Sequence, residues 1–370
     1  MKKTLAALAV LGAFAGSAMA ADVTLYGAVD TGFEYIHTKS TGEKGVDTFD
    51  MQTGWDTPSR WGLKGSEDLG NGYKVSFKLE SGFNSDDGTM GQSNRLFGRE
   101  AGLTLSGPFG SVAFGRFGGI SSSAGTYDML GYVESFDGGD GNVWGFASSS
   151  RYDNMVVYQT PRFAGLQLTA QYSFKTDTKE GDTAQYNGDE GTSHAQRYAS
   201  VGLSGEYGPA SFAVGYELTK YGANTNGARA LDKDGQLVFV GGNYDFEVVQ
   251  LFAEAQYFKH QTAINAGDDA TAELGLGKLG LKGYGLHLGA AAPLAGGTLT
   301  AGLYYVDLSE EAVDQADEDA KYYGVSARYN YPLSERTSLY AGAGYGQLKD
   351  DDSGNKDQLT QVYCGLVHTF

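Results

Sequence analysis

The sequence predicts an all-β protein, a transmembrane antiparallel β-barrel of about sixteen strands, and three observations carry that prediction. Apolar and polar residues alternate in segment after segment, and the connections between those segments alternate between short and long. No stretch beyond residue 20 is apolar for the roughly 18 residues that mark a spanning helix. The remaining route across a bilayer is a closed barrel, in which every backbone group pairs between strands.

At the N-terminus, Lys2 and Lys3 precede an apolar run over residues 5–15, and the small-residue segment Ala18-Met19-Ala20 follows. A charged start, a short apolar stretch and an A-x-A site have the form of a secretory signal peptide. Residues 1–20 are therefore expected to be removed and residues 21–370 to form the barrel. Removal leaves 350 of the 370 residues and, with two lysines gone, takes the net charge from −18 to −20. So acidic a chain, with no basic stripe, is a poor partner for nucleic acid, whose phosphates need clustered Lys and Arg. The single cysteine, Cys364, excludes an intrachain disulfide. The composition of 56 glycines, 25 tyrosines and 19 phenylalanines against six prolines suits many strands and turns.

The strand periodicity is clearest in Tyr73-Lys74-Val75-Ser76-Phe77-Lys78-Leu79-Glu80, where every charge falls on one face. Leu166, Leu168, Ala170, Tyr172 and Phe174 alternate with Gln167, Thr169, Gln171 and Ser173, a sorting that a helix cannot produce. The same alternation returns at Phe212 to Leu218, Val249 to Tyr257 and Leu299 to Tyr305. Short turns are expected near 67–72, 106–110, 161–165, 207–210, 243–247, 293–297 and 332–336. Long polar loops are expected near 37–56, 83–94, 117–150, 176–195, 222–235, 259–278, 308–320 and 349–357. Proline cannot donate to a ladder, and Pro108, Pro161, Pro209, Pro293 and Pro332 all fall in the short turns, with Pro58 where a strand begins. A barrel of about sixteen strands encloses a watery lumen. Tyr322, Tyr323, Tyr329, Tyr331 and Phe163 flank turns or loop mouths, as residues of an interfacial aromatic girdle do.

Several segments carry a family likeness: Val23-Thr24-Leu25-Tyr26-Gly27, the run from Ser59 to Gly70, Phe97-Gly98-Arg99-Glu100, Gly110 to Arg116, and the final Gly365-Leu366-Val367-His368-Thr369-Phe370. In these the chain resembles the Gram-negative general porins over essentially its whole mature length. The family usually has a basic residue where this chain has Val367. The resemblance implies a homotrimer in the outer membrane, surrounded by lipid and lipopolysaccharide, with a water-filled channel for passive diffusion of ions and small hydrophilic solutes. It implies that terminal Phe370 is read by the barrel-assembly machinery. It also implies that the third long loop folds into the barrel as a pore-constricting element, with acids opposite wall arginines.

Loop 117–150 fits that role, being the longest connection, with Asp128, Glu134, Asp137 and Asp140 and no Lys or Arg. On the wall, Arg60 lies on the face opposite Trp61 and Leu63, and Arg151 opposite Tyr152, Val156 and Tyr158. A charge facing lipid at mid-depth costs about 2–4 kcal/mol, so both are expected to point inward. Lys64 and Arg116 are further wall candidates. Arg99 matches the family motif, yet simple parity groups it with apolar Ala101, Leu103 and Leu105, which a bulge or a position above the lipid would reconcile. The expected constriction is thus Arg60, Arg99, Arg151, Lys64 and Arg116 facing Glu134, Asp137 and Asp140. Opposed charges across a narrow aqueous gap order water and filter solutes by size and charge. The bulk charge does not set the sign of selectivity, because most carboxylates lie in distant loops.

Other signals are weaker. Gly275-Leu276-Gly277-Lys278-Leu279-Gly280 spells a dinucleotide fingerprint but lacks the strand-to-helix setting it needs. Acidic runs at 307–319 and 350–352 miss calcium-loop spacing, leaving divalent ions that bridge lipopolysaccharide as one reading. The five histidines show no metal spacing, and no cofactor is implied. A structural or adhesive barrel would have a plugged lumen, and an outer-membrane hydrolase would need a converging Ser and His, for which the sequence shows no set.

Overall fold

The computed structural model of the chain describes residues 23–123, 125–137, 140–179, 188–224, 228–229, 231–264, 280–310 and 318–370. The expected signal peptide and residues 275–279 of the glycine-rich motif lie outside the described residues. Seventeen β-segments form one antiparallel sheet. They are β1 (Thr24–Ser40), β2 (Val46–Thr53), β3 (Arg60–Gly70), β4 (Tyr73–Gly82), β5 (Glu100–Gly107) and β6 (Gly110–Gly118). Then come β7 (Arg151–Gln159), β8 (Leu166–Ser173), β9 (Arg197–Tyr207), β10 (Ala210–Lys220), β11 (Gly235–Asp245) and β12 (Gln250–Gln261). The last are β13 (Leu281–Leu294), β14 (Gly297–Glu310), β15 (Glu318–Ser334), β16 (Thr337–Asp350) and β17 (Lys356–Thr369).

The sheet closes on itself, with β1 paired to β17 from Ala28↔Thr369 to Ser40↔Asp357. Beyond that ladder the Gly27 and Phe370 backbones exchange two hydrogen bonds of 3.0 Å. Closure leaves no open edge, the condition for a sheet to live in hydrocarbon. Both β2 and β3 pair with β1, so together they fill one place in the wall and the seventeen segments make sixteen strands. Their junction is not continuous. From Thr31↔Thr53 to Ala28↔Arg60, β1 advances three residues while its partner advances seven, so four extra residues leave the ladder. This large bulge, residues 54–59, turns inward.

Alternation sorts the two faces. On β17, Val362, Cys364 and Leu366 are exposed on the outside while Gln361 and Tyr363 are buried on the inside. Short connections are tight: Gly70, Asn71 and Gly72 all take positive φ (82°, 54° and 79°), which a residue with Cβ adopts only at a cost unless it is Asn or Asp. Several connections expected to be long loops are instead extended hairpin arms. β1 runs to Ser40 and β2 starts at Val46, β14 runs to Glu310, and β16 and β17 are separated only by residues 351–355. Above the lipid a strand needs no apolar half, so its ladder continues where the hydrophobic pattern stops. Pro293 and Pro332 sit at ladder ends rather than in the turns themselves. Tyr322 is corrected as a girdle residue: it faces inward and is buried, while Tyr323 beside it is exposed on the outer face.

Candidate channel lining

Two arcs of the inner wall differ. From β3 to β5 the inward positions carry charge, and on β6 and β7 they turn largely apolar, with Ala113, Phe117, Met155 and Val157 buried against Tyr127 and Tyr198. Glu80 of β4 is the hub: it accepts from Arg99 Nε at 2.7 Å and from the Tyr26 hydroxyl at 2.8 Å, with Lys78 Nζ at 3.6 Å and Arg60 Nε at 3.9 Å. Lys78 Nζ also donates to Glu100 at 2.6 Å. Arg99 precedes β5, so the strand alternation does not bind it; its side chain turns inward to Glu80, and the parity conflict disappears.

From β10 to β17 the inner wall is covered by the segment 119–150. Ile120, Met129, Leu130, Val133, Trp144 and Phe146 of that segment form one buried apolar cluster with Leu237, Phe239, Phe258, Tyr304, Val306 and Tyr322 of the wall. Polar stitches run along it. Glu217 of β10 accepts from Ser121 N–H at 3.0 Å and the Ser149 hydroxyl at 3.0 Å. Gln256 accepts from Ala147 N–H at 2.9 Å, His287 Nε2 from Ser135 N–H at 3.2 Å, and Gln361 from Asn142 N–H at 3.1 Å. Fully burying an aliphatic or aromatic side chain stabilises by roughly 1.5–3 kcal/mol, so this apolar set, more than the stitches, holds the segment to the wall.

Between the two arcs lies a gap of about 690 Å³. Its charged lining is Arg60, Lys78, Arg99 and Arg328 with Asp56, Glu80 and Asp137, and Trp55 of the inward bulge closes one side. Of the residues expected at the constriction, the structure brings Arg60, Arg99 and Asp137 to this gap. Lys64 lines a neighbouring recess with its ammonium 5.1 Å from the Tyr26 ring centre. Arg116 is held by the Gly98 carbonyl at 2.8 Å and Asp153 at 2.6 Å, and Arg151 begins β7; neither is among the residues lining the gap. Glu134 is buried behind the segment, accepting from Trp144 Nε1 at 2.9 Å, and Asp140 is fully buried against Tyr363. Sequence reasoning did not single out Lys78, Glu80, Arg328, Trp55 or Asp56. The first three were readable, since a charge on a barrel strand belongs inside.

The carboxyls of segment 119–150 titrate high. Burial and the neighbouring Asp137 push Asp128 well up, and burial raises Asp137 although Asp128 hydrogen-bonds to it. Burial and the facing Glu254 raise Glu134, and burial raises Asp140 against the pull of Arg328. Among the described residues no group of His, Cys, Asp and Glu is placed to hold a metal.

A closed barrel that is apolar outside and carries a charged gap inside defines a transmembrane channel protein of the β-barrel class. The model of the Gram-negative porin family matches residues 6–352, and the chain belongs to that family. It is 34% identical to an outer membrane porin protein of Bordetella pertussis over the full length of both chains. It is 32% identical to outer membrane porin protein 32 of Delftia acidovorans, covering 99% of this chain and 95% of that one. Among solved structures it is similar to the anion-selective porin from Comamonas acidovorans, with a TM-score of 0.71 at 25% identity over 95% of this chain and 100% of that one. The protein is an outer-membrane porin of the Gram-negative type, a channel for passive diffusion, and relatives of this kind are channels and not enzymes.

Proposed function

We propose that segment 119–150 constricts the channel to the gap it shares with β3–β5, and that this gap favours small anions. Four cations line the gap against three carboxylates. Glu80 engages Arg99 and Lys78, and Asp56 and Asp140 meet Arg328, which leaves Arg60 as the loosely paired cation, its nearest carboxylate 3.9 Å away, while burial raises Asp137. That loosely paired cation at the gap, inside a chain whose net charge is −18, is the observation that carries the reading. The solved relative described as anion-selective supports the same sign. Weak, exchangeable contacts with Arg60, backed by the positive potential of Arg99 beside it, let an anion enter and leave, and no chemical step is involved.

Reversal potentials in a KCl gradient across a planar bilayer test it. The full channel is expected to prefer chloride, and Arg60→Ser and Arg99→Ser each to lower the chloride-to-potassium permeability ratio, with Arg151→Ser changing it less. Cation preference in the unaltered protein would reject the assignment. The same reading takes residues 1–20 as a cleaved export signal, the working unit as a homotrimer in lipid and lipopolysaccharide, and Phe370 as the assembly signal.

A further inference from the structure

The inward bulge 54–59 and the tip of segment 119–150 come from distant parts of the chain and meet on one guanidinium. Arg328, on the inner face of β15, donates from Nη1 to the Trp55 carbonyl at 2.8 Å. Its Nε lies 3.3 Å from Asp56 Oδ1 and its Nη1 3.5 Å from Asp140 Oδ1. The guanidinium carbon stands 4.9 Å from the centre of the Phe136 ring. One cation therefore touches three groups of the two segments and stacks on a fourth.

The surroundings repeat the connection. Asn330, two residues along β15, donates to Asp56 at 2.5 Å, and the Tyr363 hydroxyl donates to Asp140. The Trp55 ring stacks on Tyr363 with centres 5.0 Å apart and planes 11° from parallel. On the barrel side the bulge is moulded by Asp30, fully buried, whose carboxylate accepts from the N–H groups of Asp56 and Thr57 at 2.9 and 2.8 Å. The tip answers with Gly141 at φ +58°, where an added Cβ would lie 1.7 Å from Trp55 Cζ3. Only a residue without a side chain fits that approach.

We infer that Arg328 is a positioning residue of the channel, locking bulge 54–59 to the tip of segment 119–150 so that the two form one rigid side of the gap. This rests on the reading of that gap as the constriction. The alternative use of an inner-wall arginine is to hold a bare charge toward passing ions. Arg60 suits that use, with its nearest carboxylate at 3.9 Å and 30% of its side chain exposed; Arg328 is 15% exposed and its charge is met by two carboxylates. The fork shape matters as much as the charge, since a lysine ammonium could not reach the carbonyl and both acids in one plane.

The test uses the full chain in planar bilayers and in detergent. Hydrogen bonds to a charged group that is partly buried are worth enough that losing them shifts a docked-to-displaced equilibrium about tenfold. Arg328→Met and Gly141→Ala are each expected to raise the frequency of brief current fluctuations by about that factor, with Arg328→Lys between them and the unaltered protein. Limited proteolysis in detergent, which does not depend on conductance, is expected to cut segment 119–150 faster in the same two variants. An added Cβ at Gly141 would meet the Trp55 ring of the bulge, so its variant decides the question if Arg328→Met does not fold. Unaltered fluctuation and cleavage rates in a folded variant of either kind would overturn the lock. A shift of selectivity in Arg60→Ser beside unchanged Arg328 variants sinks the lock alone, whereas unaltered protein that forms no channel sinks the constriction reading instead.

Discussion

The two arcs of the inner wall solve the same problem in opposite ways. Along β3–β5 the inward side chains keep their charges and pair them locally around Glu80 and Glu100 beside the gap. Along β10–β17 the inward side chains include Leu237, Phe239, Phe258, Val306 and Leu308, which in an empty lumen would face water. Segment 119–150 covers them. The core of this molecule is therefore off-centre, held between the wall outside β3–β5 and a single inward loop. Stability is concentrated in one arc and permeation chemistry in the other, which separates the effects of substitutions in each.

The largest expected difference is in stability. Phe146 is fully buried between the segment and Tyr304, at 5.8 Å between ring centres, and Phe146→Ala is expected to cost about 3–5 kcal/mol in denaturant unfolding from detergent micelles. Arg60→Ser in the open arc should change stability by less than about 1 kcal/mol, as exposed ion pairs do. Equal losses would erase the distinction between the arcs. Next in size, a charge on the outside should not distinguish them at all. Leu303→Arg behind the packed arc and Leu103→Arg behind the open one, both more than half exposed to the lipid side, are each expected to cost about 2–4 kcal/mol in bilayer-reconstituted protein. A harmless arginine at either position would mean that side faces something other than hydrocarbon.

The smallest effect is on pH dependence. Carboxyls raised by burial are neutral on the acid side and gain charge as pH climbs through the raised value. Asp128 and Asp137 are raised in this way, so the negative charge beside the gap grows with pH and chloride preference is expected to be greatest in acid and to decline upward. The proton-bound form is also the one that favours docking of the segment, and that contribution is lost in the same direction. Reversal potentials across a pH series check the sign, and a preference that strengthens with pH would contradict the placement of Asp137.

Local pattern revealed the cylinder because alternation and turn chemistry are local properties. The inward parity of Arg60 and the Lys78 and Glu80 face of Tyr73–Glu80 were legible for the same reason. The break between β2 and β3 was not, since four extra residues leave no mark on either flanking alternation. Strand parity set Arg99 apart from the other wall arginines because it stands one residue before its strand. Glu134 and Asp140 belong to the acidic loop as expected, but three-dimensional packing turns them away from the gap. A hint existed in Ile120, Met129, Leu130, Val133, Trp144 and Phe146, since a loop bathed in solvent has no use for so many greasy side chains.

An off-centre core inside a water-filled cylinder reverses the usual symptom of damage. In a soluble domain, loosened packing bares sticky surface and the protein precipitates. Here the grease of the core faces a lumen only solutes can enter, while the outer surface stays clad in lipid. A weakened variant should remain dispersed and inserted and betray itself as an unsteady electrical current.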